Sequence, residues 1–277
     1  MGKVIVSGAA PQMTVPIGVA LNDMTWEQIR AISDAGKAAD YFNLGDTKTI
    51  TINGNVGNFT FSNYTVDAFI IGFNHNSTKE GGNRIHFLIG KSGGKMVGLC
   101  DSRYGNEQTS SGYFNMNTSQ TNSGGWNGSA MRNTLLGNNG TPSSPITNTL
   151  LAALPSDLRA VMKSVTKYTD NTGNSSNVSG NITATSDYLF LLSEFELHGF
   201  RNYANEYERK SQAQYDYFKA GNSKVAYRHT ATGTSVWWWL RSPDCNNRDR
   251  FCSVGQGGGS GYSLASWSAG ILPGFVV

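Results

Sequence analysis

The chain has 277 residues and a formal net charge of +3, and only 15% of its residues are charged, with Gly, Asn, Ser and Thr making up the difference. Its Lys and Arg are scattered, so no basic run exists for counterion release to act on, and a nucleic-acid partner is not expected. No stretch approaches the roughly 20 apolar residues of a membrane-crossing helix, so membrane insertion is not expected either.

In chain order, Lys3–Ser7 reads as a short strand. Gly8, Pro11 and Pro16 then interrupt regular structure, so residues 1–22 are expected to form an N-terminal arm for attachment or oligomerisation, ahead of one domain over 23–277. The start is too weakly apolar for a secretory leader, which predicts synthesis in a cytoplasm without export by that route. Thr25 with Gln28 has the spacing of a capping box, and Trp26, Ile29 and Ile32 put an apolar face on the helix that follows, with Gly36 at its end. Thr49–Ile52 reads as a strand turning at Asn53-Gly54 into a return strand at Phe59–Phe61. Asp67–Phe73, Ile85–Ile89 and Lys95–Leu99 read as further strands.

Residues 124–136 predict a short helix entered through glycines and capped by Asn127 or Ser129. Residues 149–163 predict a helical pair, the second part starting near Pro155-Ser156. Residues 170–181 form a polar loop, Tyr188–Leu192 begins a strand or helix that stops at Gly199, and 203–219 suggests a solvent-facing helix. Residues 235–277 suggest strands joined by Gly- and Ser-rich loops. The sum is an α+β fold with short antiparallel sheets and long loops, without a fixed-period repeat.

Catalytic and metal-binding patterns are sparse. His75, His86, His198 and His229 make no metal-type spacing with one another or with a Cys, so no metal is expected and His75 reads as a structural residue at a strand end. Glu194 and Glu196 would share a face if they lay on a strand. A structural ion pair with Arg241 is favoured over acid/base work, because a buried Arg needs a carboxylate. The Gly255–Gly259 stretch lacks the Lys-Ser/Thr of a phosphate loop. The odd count of Cys100, Cys245 and Cys252 favours free thiols over a paired framework, although Cys245 and Cys252 could bridge a short loop. No catalytic residue and no cofactor is expected.

The most distinctive segment is Val236-Trp237-Trp238-Trp239-Leu240-Arg241-Ser242-Pro243, together with the ending Gly270-Ile271-Leu272-Pro273-Gly274-Phe275. With Gly45–Lys48, Ile71–Asn76, Trp126–Ser129, Met131-Arg132 and Ser193–Glu196, it resembles a widespread bacterial and phage family of C-type-lectin-fold domains, related in architecture to formylglycine-generating enzymes. The resemblance spans about residues 24–277. Within that family the chain is similar to the variable proteins of diversity-generating retroelements, in which adenines of a template RNA are miscopied and Asn codons scatter into many residue types. Lys, Glu, Gln, Met and Trp lie outside the reachable set. From Asp244 to Val277 there is no Lys, Glu or Met, and only Gln256 and Trp267 fall outside it.

The resemblance implies a variable region over about 243–275. Phe251, Cys252, Val254, Gly257, Gly258, Gly270, Pro273 and Phe275 would be scaffold. Asp244, Asn246, Asn247, Arg248, Asp249, Arg250, Ser253, Gly255, Ser260, Gly261, Ser263, Leu264, Ala269, Leu272 and Gly274 would be the exchangeable, ligand-contacting positions. It further implies a receptor-binding protein rather than an enzyme, displayed on a phage tail tip or a cell surface. The expected partner is a protein or glycan receptor on a host cell surface, and homo-oligomeric display would help through avidity. An enzyme of the formylglycine-generating type and a structural particle protein are the alternatives.

Overall fold

The computed structural model describes residues 3–5, 14–99 and 112–277. Gly8, Pro11, Cys100 and the end of the Lys3–Ser7 strand lie outside them. In the arm, β1 (Lys3–Ile5) and β2 (Thr14–Pro16) pair as an antiparallel ribbon. Helix α1 (Trp26–Asp34) has the expected capping box: the Gln28 N–H donates to Thr25 Oγ1 at 3.2 Å, and the Thr25 N–H donates to Gln28 Oε1 at 2.9 Å. It buries Trp26, Ile29 and Ile32, and the chain leaves it at Gly36 with φ +68°. A short α2 (Ala38–Tyr41) follows.

Strands β3 (Thr47–Val56) and β4 (Phe59–Phe73) form one long hairpin. Its turn is at Gly57-Asn58, four residues later than Asn53-Gly54 had suggested. Gly54, at φ +129°, is absorbed by a register shift between Ile52 and Gly54, so the strand continues and buries Ile50, Ile52 and Val56 on one side. After α3 (Ser77–Glu80) come β5 (Ile85–Ser92) and β6 (Lys95–Gly98).

The 124–136 region is α4 (Gly125–Gly128) followed by a π-helical turn, Met131–Leu136. Ser129 supports that turn by accepting the Arg132 N–H at 3.2 Å. The helical pair is α5 (Leu150–Ala153) and α6 (Ser156–Val161). Strands β7 (Val165–Asp170) and β8 (Ile182–Asp187) make a separate two-stranded sheet around the polar loop. Helix α7 (Glu194–His198) is capped by Ser193 and Glu196 and closed by Gly199 at φ +76°.

Residues 203–219 are not one solvent-facing helix. They form a 3-10 turn, Glu206–Lys210, and α8 (Asp216–Lys219), with Tyr215, Tyr217 and Phe218 buried. Tyr215 stacks on His75 with ring centroids 3.6 Å apart, and this long-range packing outweighs a continuous helix.

The last strands are β9 (Ala226–Arg228), β10 (Ala231–Val236), β11 (Trp238–Pro243), β12 (Arg250–Val254), β13 (Ser260–Leu264) and β14 (Gly274–Val276). The large sheet runs β10-β9-β6-β5-β4-β3, antiparallel except where β6 meets β9. Strand β14 joins it on β5, pairing Gly274 with Leu88 and Val276 with His86. Strands β11, β12 and β13 form a three-stranded antiparallel sheet of their own. The fold is therefore α+β with antiparallel and mixed sheets. No helix among the described residues is long and apolar enough to cross a membrane.

Candidate functional site

The three-stranded sheet rests on strand β11, in which every residue from Trp238 to Pro243 is buried. Trp238, Trp239 and Leu240 belong to the core, and the Trp239 indole N–H donates to the Phe114 carbonyl at 3.1 Å. The buried Arg241 makes a two-point pair with Glu196. Nη2 donates to Oε1 at 2.8 Å, and Nη1 reaches Oε2 and also the Leu191 carbonyl. Arg241 Nε donates to Thr169 Oγ1 at 2.7 Å. Glu196 also accepts from the Lys167 ammonium at 3.1 Å, and Lys167 reaches Glu80 at 2.6 Å and the Tyr215 hydroxyl at 2.8 Å.

Burial opposes charge on all these groups, but the two cations hold the Glu196 carboxyl well below the usual carboxylate range. Arg241 is correspondingly held above its ordinary value by Glu196, against the cost of burial. Burial, with Lys167 nearby, lowers His75 to about 3, so its imidazole is neutral. His75, Glu80 and Glu196 bring potential metal-ligand atoms within 4.8 Å of one another. The Lys167 ammonium already bonds both carboxylates, so this cluster carries its own cation.

Glu194 and Glu196 do not share a strand face. They occupy the first turn of α7, and each carboxylate is committed to structure. Glu194 Oε2 accepts the N–H groups of Asn202, Tyr203 and Ala204 at 3.0, 2.9 and 2.8 Å, and Oε1 accepts the Ser260 hydroxyl. The pairing of Arg241 with a carboxylate of this motif is as expected.

Between β11 and β12 the chain makes a tight loop pegged from inside. Asp244 is fully buried and accepts the Asn246 N–H on Oδ1 and the Asn247 amide on Oδ2, both at 2.8 Å. From outside the segment, the buried Asn122 amide donates to the carbonyls of Asp244, Asn247 and Arg250 at 3.0, 2.7 and 2.8 Å. The Asn122 N–H donates to the Arg248 carbonyl at 2.8 Å. The loop backbone is thus held at four points while Asn246 and Arg248 are exposed and Asn247, Asp249 and Arg250 are half-buried.

The outward surface continues over β12 and β13, where Arg250 faces Leu264 and Cys252 faces Tyr262. Gly255, Ser260, Gly261, Ser263 and Leu264 are all partly exposed. The Arg250 guanidinium lies over the Tyr262 ring, 4.8 Å from its centroid, and Tyr262 meets Tyr203 edge-to-face at 4.7 Å. Tyr262 and Tyr203 were absent from the expected set. Strand parity could have found Tyr262, which shares its side of β13 with Ser260 and Leu264. Tyr203 is brought in only by the fold.

Five of the expected exchangeable positions are inside the protein. Asp244, Ser253, Ala269 and Leu272 are 0–3% exposed, and Gly274 is buried. Asp244 is the clamp of the loop, and Ser253 lies in the middle strand. Ala269, Leu272 and Gly274 belong to the segment that returns through the core to pair with β5. Ser260 is half-buried and tied to Glu194, so its exchange would cost a hydrogen bond. Of the expected scaffold, Phe251, Cys252, Val254, Gly270, Pro273 and Phe275 are buried, whereas Gly257 is exposed.

Cys245 and Cys252 are free, buried thiols. Burial raises both, Cys252 well above its ordinary value, with Glu194 adding to the shift. Such thiols are poor sources of the thiolate nucleophile.

Residues 106–277 match the model of a family described as a domain of unknown function, DUF6273. A search of curated proteins returned no match, and a search of solved structures returned none.

Proposed function

The chain belongs to the DUF6273 family, and on that footing we propose that it is a ligand-binding protein of C-type-lectin type, diversified by a retroelement and acting without chemistry. The observation that carries this reading is the loop 244–250. Its backbone is fixed from below by Asn122 and Asp244, while Asn246 and Arg248 project into solvent. A loop built this way tolerates exchange of outward side chains, because none of its anchoring bonds depends on them.

The exchangeable set is narrowed to Asn246, Arg248, Asp249, Arg250, Gly255, Gly261, Ser263 and Leu264, with Tyr262 added; Asn247 is left out with Ser260, because its side-chain amide bonds the buried Asp244. Arg and Tyr are the residue types that most often dominate binding energy at such surfaces. The meeting of the C-terminal strand β14 with β5, beside a small separate sheet bearing the loop, supports the C-type-lectin reading. Display on a virion or cell surface through the arm 1–22, and binding of a receptor on a host cell, complete the proposal.

The test has a genomic and a biochemical part. DNA next to the gene should hold a reverse transcriptase and a near-repeat of the 3′ coding segment, with differences confined to adenines. Arg248→Ala should leave the melting temperature unchanged and alter binding to host cells. An Arg248→Ala variant that unfolds, or a near-repeat whose differences cluster at the codons of Asp244, Leu272 and Gly274, would remove the proposal.

A further inference from the structure

Beside the loop 244–250 lies an open groove of about 370 Å³, walled in part by Thr118, Ser119, Thr121, Ser123, Asn133 and Thr134. All of its described lining residues are Asn, Ser, Thr, Gly or Ala. The groove and the loop share a wall. Asn122, the peg of the loop, sits between Thr121 and Ser123, and Asn117 on the same wall donates its N–H to the Ala265 carbonyl just after β13 at 2.9 Å.

The wall is pre-bonded. Asn117 accepts the Ala130 N–H at 3.0 Å and donates to the Thr121 carbonyl at 2.7 Å. Asn133 is held by Arg132 and by the Asn127 carbonyl. Against this fixed frame, Thr118, Ser119 and Thr134 are exposed, and their hydroxyls make no hydrogen bond among the described residues. Thr134 sits on the π-helical turn Met131–Leu136, a rare geometry that costs regular helical bonding and recurs at functional sites.

The chemistry of the wall selects among ligands. Among its described lining residues an anion would find no cation, a cation no carboxylate, and an apolar group no large apolar surface to leave water for. A neutral polyhydroxylated ligand would find uncommitted donors and acceptors at fixed positions, in a cavity of the size that small ligands occupy. We propose that this groove is an invariant subsite for a neutral saccharide of about one or two hexose units, contiguous with the exchangeable face. It deepens the ligand-binding reading, since the rest of the glycan would run onto the loop.

The test is saturation-transfer NMR and calorimetry on the full chain with maltotriose, N,N′-diacetylchitobiose, a β-galactobiose and, as a charged control, 3′-sialyllactose. At least one neutral sugar should bind with a dissociation constant of roughly 1 mM or tighter. Thr118→Val combined with Thr134→Val should weaken it about fivefold or more with no change in melting temperature. Ser119→Ala, a smaller change, provides a second readout if that pair perturbs folding. Absence of saturation transfer to every neutral sugar at about 10 mM, or binding indifferent to these substitutions, overturns the inference. Arg248→Ala separates the two readings. If it erases receptor binding while the groove variants do nothing, the groove fails and the ligand-binding reading stands. If the groove variants erase sugar binding while loop variants never affect any ligand, the reverse holds.

Discussion

Gly274 and Phe190 are bonded to each other twice through their backbones, and their closeness leaves no room for a side chain at 274. The Gly274 N–H donates to the Phe190 carbonyl at 2.6 Å, and the Phe190 N–H donates back at 3.0 Å. A Cβ on Gly274 would meet the Phe190 ring at 2.5 Å. Both residues are buried, and the ring has no solvent to move into.

Gly274→Ala should therefore destabilise the protein by about 1–3 kcal/mol through overpacking. Urea denaturation measures it directly. Full tolerance of Ala, or of larger residues, would mean that the C-terminal segment does not run where it is described.

Arg241 and Glu196 should be the least replaceable pair. Arg241→Met leaves one face of a fully buried carboxylate without its two-point partner, and a loss of about 3–5 kcal/mol is expected. The double change Arg241→Met with Glu196→Gln should recover part of that loss, because the uncompensated charge is gone. A double mutant worse than the sum of the singles contradicts this account.

Asn122 should control the loop from a distance. Asn122→Ala removes the one amide group whose two N–H donors reach the carbonyls of Asp244, Asn247 and Arg250, at a cost of about 1–3 kcal/mol. Amide exchange at residues 246–250 should accelerate, and ligand binding should weaken although Asn122 itself is fully buried. Unchanged exchange in that stretch would show that the pegging is inconsequential.

Glu208 gives the fold a pH dependence with a defined sign. It is buried and accepts the Asp170 N–H at 3.0 Å, the Ser242 hydroxyl at 2.7 Å and the Gln212 amide at 3.3 Å, and among the described residues no cation pairs with it. Burial raises it from 4.5 to about 7. A carboxyl raised on folding favours the protonated native state. Its contribution is complete below pH 4.5 and is lost as pH rises through about 7, a span worth about 3 kcal/mol at most. Glu208→Gln should therefore raise the melting temperature relative to wild type at pH 8 and confer no such advantage at pH 4. A variant that is no more stable than wild type at pH 8 contradicts the assignment.

Local signals were readable where neighbours in sequence supply the physics. The Thr25–Gln28 capping box, the apolar face Trp26-Ile29-Ile32 and the stop at Gly36 all depend on residues within about one turn. The hairpin shows the limit. Asn53-Gly54 has the stronger turn chemistry, yet β3 runs on to Val56, because continuing buries Ile52 and Val56 against the core and a bulge accommodates the glycine. Arg241 was legible as a buried cation in need of a carboxylate, but that Lys167 would share Glu196 was not, since nothing in the local pattern of Val165–Asp170 marks Lys167 as fully buried.

Composition and pattern by themselves determined the α+β class and marked the run Trp237-Trp238-Trp239-Leu240, of which Trp238, Trp239 and Leu240 are buried and Trp237 is half-buried; the exchangeable surface near Asn246–Arg250 is a proposal that rests on the resemblance. Tertiary structure alone decided which residues between Asp244 and Gly274 meet solvent. Alternation along a strand assigns a side chain to one of two faces, but it cannot say whether a second layer covers the outer one. For β14 and the residues that lead into it, both faces are covered, and that is why Gly274, on β14, and Leu272, just before it, are core residues while Tyr262, on β13, is exposed.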